Sequence, residues 1–349
     1  MTGPAPQAAR HGHVLIARLD SLGDLLLAGP AVRAVAGSAA RVTALVSSGR
    51  RQDALLLPGV DEVIEFEAPW IVFDPRPVRP EQMTALIEAV RGANVAAALI
   101  LTSFHQSPLP LALLLRMAEV AWIGGISEDY PGSLLDLRHR TAGAMPESER
   151  NLSLAQAAGF PPDERGARLA VRRPLPYVRD RTGGDPYIVF HPGASTSSRR
   201  PTEAHSRVLV AALANAGHRV IVTGSAAEAP LASWVANGRA LDLSGQFDLP
   251  HLAAVLDGAQ VMIAPNTGPA HLAAAVGTPV VSLFAPVVPA TSWAPYGVPS
   301  VVLGDQQAAC RDSRARICPL VGHPCLTSIR PEEVLAAVDR LALTGVGAA

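Results

Sequence analysis

Short apolar runs alternate with helix-period segments along almost the whole chain, and this alternation leaves few folds open. A strand buried on both faces reads as a continuous apolar run, and a helix must cover it before the next parallel strand begins. Strands are expected at 13–19, 41–46, 62–66 and 95–101, and helices at 25–36, 80–91, 109–118 and 147–159. The segment 161–186 then breaks the rhythm with Pro161, Pro162, Pro174, Pro176, Pro186 and the Gly183-Gly184 pair, which reads as a linker. A second series follows, with strands at 187–190, 219–223, 240–243, 261–264 and 279–284 and helices at 203–216, 226–237, 249–257 and 269–275. The fold class is therefore α/β, with two doubly wound, Rossmann-like parallel sheets. Domains are expected at 1–175 and 176–330. A last amphipathic helix, with Pro331 in its first turn and Glu332 and Glu333 at its positive end, is expected to carry 331–349 back to the first domain.

Composition fits this and excludes several chemistries. A chain of 349 residues, 49% hydrophobic, supports two cores. A formal net charge of −1 gives no general pull toward polyanions, so no nucleic-acid partner is expected. All 29 basic residues other than histidine are arginine, which removes Schiff-base and P-loop lysine chemistry. No apolar run is long enough to span a bilayer, and 1–13 lacks a signal-peptide core, so a cytoplasmic protein with at most peripheral membrane contact is expected. The apolar stretches 70–73 and 109–115 read as buried core. Cys310, Cys318 and Cys325, with His323 among them, lack the tight spacing of a zinc knuckle and read as reduced thiols.

Ligands of open parallel sheets collect beyond the carboxyl ends of the strands, so the turns there carry the candidate chemistry. Asn266, Thr267, Gly268, Pro269 and His271 follow a strand and open a helix, where unpaired N–H groups and the helix dipole favour a diphosphate. The plainer account makes Asn266 or Thr267 an N-cap and His271 a packed side chain. Ser195, Thr196, Arg199 and Arg200 lie in a hydroxyl-rich loop after another strand, suited to phosphate or sugar, or simply a solvated connection. Gly224 and Glu228 form a third strand-end turn, where the carboxylate would take ribose hydroxyls or serve as a first-turn acid. Asp24, in the first strand-to-helix turn, would be a general base or a helix cap. No Gly-x-Gly-x-x-Gly, Gly-x-Ser-x-Gly or P-loop pattern follows any strand.

Segment 13–36 with Arg18, Gly23 and Asp24, the His191-Pro192-Gly193-Ala194 loop, and the stretch from Leu243-Ser244-Gly245 to Ala274 resemble the heptosyltransferases of glycosyltransferase family nine. His323-Pro324-Cys325-Leu326, Ile329 and Pro331-Glu332-Glu333-Val334 are similar to that family's ending, so the resemblance covers nearly the whole chain. It implies a GT-B fold, two Rossmann-like domains facing a central cleft. It also implies metal-independent, inverting transfer without a cofactor, from ADP-heptose or a similar nucleotide-sugar to a hydroxyl. The acceptor would be a lipopolysaccharide-core-like glycan or a small molecule. By resemblance Asp24 is the base, Thr267, Gly268 and His271 hold the diphosphate, Glu228 the ribose, and Phe247 lies near the nucleotide base. Two positions depart from the family pattern. Asn266 replaces an aspartate, and Ser198-Arg199-Arg200-Pro201 replaces Lys-Arg-Trp-Pro, which leaves Arg199 or Arg200 to supply the missing charge. The alternatives are a non-catalytic nucleotide-sugar-binding protein and a nucleotide-sugar epimerase of the same architecture.

Overall fold

A computed structural model describes residues 3–72, 74–141 and 143–345. The chain divides between Arg172 and Arg173 into two compact units, against an expected division after residue 175. The first unit carries β1 (His13–Arg18), β2 (Arg41–Val46), β3 (Glu62–Glu65), β4 (Ala97–Ile100), β5 (Trp122–Ile126) and β6 (Leu137–His139). They form one sheet in the order β3-β2-β1-β4-β5-β6, with every pair parallel. Its helices include α1 (Leu22–Ala36), α2 (Pro80–Ala93), α3 (Leu109–Met117) and α4 (Glu147–Ala157).

The second unit carries β7 (Ile188–Phe190), β8 (Val220–Val222), β9 (Leu241–Asp242), β10 (Met262–Pro265), β11 (Val280–Leu283) and β12 (Ser300–Leu303), in the order β12-β11-β10-β7-β8-β9, again all parallel. Its main helices are α5 (Glu203–Asn215), α6 (Ala229–Ala236), α7 (Leu249–Asp257), α8 (Gly268–Val276) and α9 (Pro331–Gly345). In each sheet the strand order reverses once, between β1 and β4 and between β7 and β10. Such a switch point splays the two following loops apart and opens a crevice at the carboxyl edge.

Alternation predicted most of these elements because the strands are apolar on both faces: β4, β7, β8, β10 and β11 are buried throughout. Strands β5, β6 and β12 escaped it. In β5, Gly124 and Gly125 interrupt the apolar signal, yet packing demands them. A Cβ at Gly124 would lie 2.8 Å from the Trp122 ring, and one at Gly125 would lie 3.2 Å from the Pro108 side chain. The stretch 109–115 is core as expected, with Leu111, Leu114 and Leu115 buried in the same cluster as Phe66. Trp70 and Ile71 pack against that cluster from a turn, not a strand, and Phe73 lies outside the described residues. The closing helix α9 buries Val334, Ala337, Val338 and Leu341 in the second unit's core, packing on α5, β11 and β12, where the sequence expectation sent it to the first unit. Among the described residues no helix is long and apolar enough to cross a membrane.

The first unit's last segment is pinned by one side chain of α1. Arg33, 7% exposed, pairs through Nε with Asp163 at 2.7 Å and donates through Nη2 to the carbonyls of Gly166 (3.1 Å) and Arg168 (2.8 Å). Replacing it leaves two carbonyls and a carboxylate without their donor. Arg33→Ala is expected to destabilise the protein by about 2 kcal/mol. Urea unfolding measures this, and an unchanged midpoint would contradict it.

Candidate active site

In the second unit, parallel pairing brings the turns after β7, β8 and β10 to one edge. His191 ends the β7 run; it is buried and its Nδ1 lies 3.1 Å from Thr223 Oγ1. Burial holds its imidazole neutral and pushes the pKa down to about 4, although nearby Glu228 favours the charged form. Gly193 comes next, directly against Glu228: a Cβ here would lie 2.0 Å from Glu228 Oε1. Glu228 divides its two oxygens. Oε2 accepts from the backbone N–H and the hydroxyl of Ser225, both at 2.8 Å, which closes a capping box at the turn after Gly224. Oε1 is the oxygen nearest Gly193. Partial burial works against the Glu228 charge, but the Ser225 bonds, His191 and Arg200 outweigh it and hold the carboxyl below its ordinary value.

After β10 the chain passes Asn266 and Thr267 into α8. Asn266 is 6% exposed, and its Nδ2 has no hydrogen-bond partner in the protein. Thr267 occupies the N-cap position in extended conformation, yet its side chain makes no capping bond. Gly268 and Pro269 form the first turn, where proline costs nothing because that N–H would be unpaired in any case. His271 is 3% exposed in the same turn. This is a helix end whose N–H groups and dipole face a crevice edge, with small residues that allow close approach.

The remaining candidates are more dispersed. Ser195 is exposed and Thr196 buried. Arg199 and Arg200 end a 3-10 turn at Ser197–Arg199, and Arg200 lies 3.8 Å from Glu203. Phe247, in the loop after β9, stacks on His251 with ring centroids 6.3 Å apart and planes 9° off parallel.

In the first unit, Asp24 sits in the first turn of α1. Ser21 is the N-cap and donates its hydroxyl to Asp24 Oδ2 at 2.7 Å, so the carboxylate does take part in helix initiation. Its other oxygen accepts from Arg18 Nη2 at 3.0 Å. Arg18, at the end of β1 and 2% exposed, also pairs through Nε with Asp20 (2.9 Å) and through Nη1 with Glu147 (3.7 Å), and Nη2 donates to Ser103 Oγ (2.8 Å). Burial acts to lower its pKa, but Asp20, Asp24 and Glu147 overcome that and raise it. Burial raises Asp20, with Asp24 adding to the effect, and burial likewise raises Glu147. Gln106, from the loop after β4, binds the second oxygen of Asp20 at 2.5 Å. Asp20, Ser103, Gln106 and Glu147 are partners that sequence reasoning missed. They come from the turn after β1, the β4 loop and α4, and only the sheet order β1-β4 and the packing of α4 on α1 bring them together.

Chemically, the second unit offers a carboxylate beside a glycine-lined turn and a helix end, which suits a ribose and a diphosphate. The first offers a fixed carboxylate with one edge toward solvent, its side chain 18% exposed. Among the described residues no group of three or more His, Cys, Asp and Glu side chains is arranged to hold a metal ion, and the three cysteines are free thiols.

Residues 83–321 match the family described as glycosyltransferase family 9 (heptosyltransferase). The chain is 31% identical over 167 residues to lipopolysaccharide heptosyltransferase 3 of Escherichia coli, covering 45% of this chain and 47% of that protein. It is 35% identical over 207 residues to lipopolysaccharide heptosyltransferase 1 of Pseudomonas aeruginosa, covering 57% and 58%. The chain thus spans about half the length of these two relatives. In fold it is similar to the E. coli ADP-heptose lps heptosyltransferase II, with a TM-score of 0.74 at 18% identity over 95% of this chain and 99% of that one. Two six-stranded parallel sheets flanked by helices are the GT-B arrangement, and the family match spans well over half the sequence. The chain belongs to glycosyltransferase family 9, the heptosyltransferase family.

Proposed function

We propose that the chain is an inverting, metal-independent glycosyltransferase that moves a heptose from ADP-heptose to a hydroxyl of a lipopolysaccharide-core-like acceptor. The observation that carries this reading is the second unit's crevice edge, where Glu228 Oε1 lies beside Gly193 and α8 begins at Gly268. Family membership and the printed names of the relatives, lipopolysaccharide heptosyltransferases, support the donor and acceptor classes.

The chemistry follows from charge. Asp24, ionised and oriented by Arg18 and Ser21, takes the proton of the acceptor hydroxyl. The oxygen attacks the anomeric carbon from the face opposite the diphosphate, the bond to the diphosphate breaks, and ADP leaves with the negative charge. The N–H groups of the first turn of α8 meet that charge, helped by Arg199 and Arg200, while Thr267 and His271 line the same turn. Buried Asn266 offers an N–H donor where the family pattern has a carboxylate, which turns a repulsive neighbour of the diphosphate into an attractive one. Glu228 accepts from ribose hydroxyls, Ser195 and Thr196 border the sugar, and the Phe247–His251 stack borders the adenine. Arginine rather than lysine supplies every cationic side chain other than histidine, and its planar fork suits phosphate oxygens.

Four outcomes test these assignments. Asp24→Asn preserves the capping geometry and is expected to lower kcat by a factor of about 100 or more, while ADP affinity measured by calorimetry stays within about twofold. Wild-type activity is expected to survive a chelator in the same assay; full turnover by the variant would remove Asp24 as the base, and loss with chelator would remove metal independence. Gly193→Ala drives Glu228 from its place, and donor KM is expected to rise about tenfold or more. An unchanged KM would dissociate Glu228 from the donor. Finally, the His191 pKa is lowered from 6.5 to about 4 on folding, so its contribution is complete above pH 6.5 and is lost as pH falls toward 4. The stability of wild type is expected to fall over that window by on the order of 3 kcal/mol more than that of His191→Asn, read from urea midpoints across pH. Parallel pH profiles would contradict the assignment.

A further inference from the structure

Ser198 stands where the family pattern places a lysine, and the structure gives it a different occupation. It is fully buried, and each of its hydrogen-bonding groups is held by the segment that follows β12. Its N–H donates to the Arg316 carbonyl at 3.1 Å, its hydroxyl to the Ala315 carbonyl at 2.5 Å, and its carbonyl accepts from His323 Nε2 at 3.0 Å. The neighbouring Ser197 hydroxyl adds a longer bond to the Arg316 carbonyl at 3.4 Å.

The gripping segment is itself anchored. Asp312 and Arg314 donate their N–H groups to the carbonyls of Pro286 and Val287, both at 2.8 Å, and Asp305 donates to the Cys325 carbonyl at 2.9 Å. Cys310 and Cys325 are buried in the second unit's core, where burial and the neighbouring thiols push Cys325 up to about 12 and keep it inert. His323 has φ +53, in the left-handed region that histidine enters more readily than most residues, and from there its buried ring reaches Ser198. The cysteine-bearing segment is thus packed from below and bonded to Ser198 above.

We propose that His323 and Ser198 are positioning residues for the nucleotide-sugar site: the cysteine-bearing segment clamps the loop after β7, and so fixes the bearing of Arg199 and Arg200 toward the diphosphate. A family position that would carry a charge is here spent on rigidity, and the charge moves to the two residues that follow. This rests on the donor reading above. A loop held in its bound conformation loses less entropy when the ligand arrives, so releasing it weakens binding without touching the group that takes the acceptor proton.

His323→Ala removes the ring donor, whereas His323→Gln keeps an N–H donor at the reach of the ring Nε2. With ADP as the probe, the Ala variant is expected to bind about tenfold more weakly, while Gln stays within about threefold of wild type. Amide hydrogen exchange at 196–200 without nucleotide is expected to speed up in the Ala variant alone. Kinetically, donor KM should rise in the Ala variant with kcat nearly unchanged. Equal ADP affinity in all three proteins would overturn the proposal, as would equal weakening in both variants with a matching fall in melting temperature, which is a packing effect. Absence of ADP binding by the wild type would instead sink the donor reading, and this inference with it.

Discussion

Parallel pairing is the constraint on which everything else rests. With every strand of both sheets running the same way, each strand-to-helix turn is delivered to one edge, and each helix that follows presents its positive end there. The chain has no lysine, and the helix ends bring unpaired N–H groups to that edge of each sheet. The same constraint sets the division of labour in the first unit. There the turn after β1 holds Asp20 and Asp24, the turn after β4 holds Ser103 and Gln106, and buried Arg18 ties the two turns together.

Arg18 illustrates how a buried charge is tolerated. Stripping water from a guanidinium is costly, and the cost is met here by three carboxylates, the Ser103 hydroxyl and the Asn151 amide oxygen, from three parts of the chain. The arrangement is an expensive way to gain stability. Its product is orientation: Asp24 is held on one oxygen by Arg18 and on the other by Ser21, which leaves its bearing determined before any ligand arrives.

Most strands and most helices were legible because burial on two faces writes itself as uninterrupted apolar sequence. The turns after β7, β8 and β10 were legible as turns, since glycine, proline and hydroxyl residues at a strand end break the apolar run. What could not be read was anything decided by tertiary proximity. Gly124 and Gly125 look like a break, yet sit in a strand because Trp122 and Pro108 occupy the space a side chain would need. Glu147 has no local mark of belonging with Arg18, and Ser198 no local mark of belonging with His323. The final helix was misplaced because its apolar face specifies burial and leaves the partner open; α5, β11 and β12 accept it. For Asp24 and Glu228, a capping contact and a functional role do not exclude each other. Each has two oxygens, and the structure gives the capping contact to one of them.

That partition at Glu228 couples two distant positions in the chain. Because Oε1 fills the volume that any side chain at residue 193 would claim, a larger residue there is accommodated only if the Glu228 carboxylate swings away or is shortened. The glycine thus keeps open the space in which the carboxylate stands, and the two positions constrain each other across the fold.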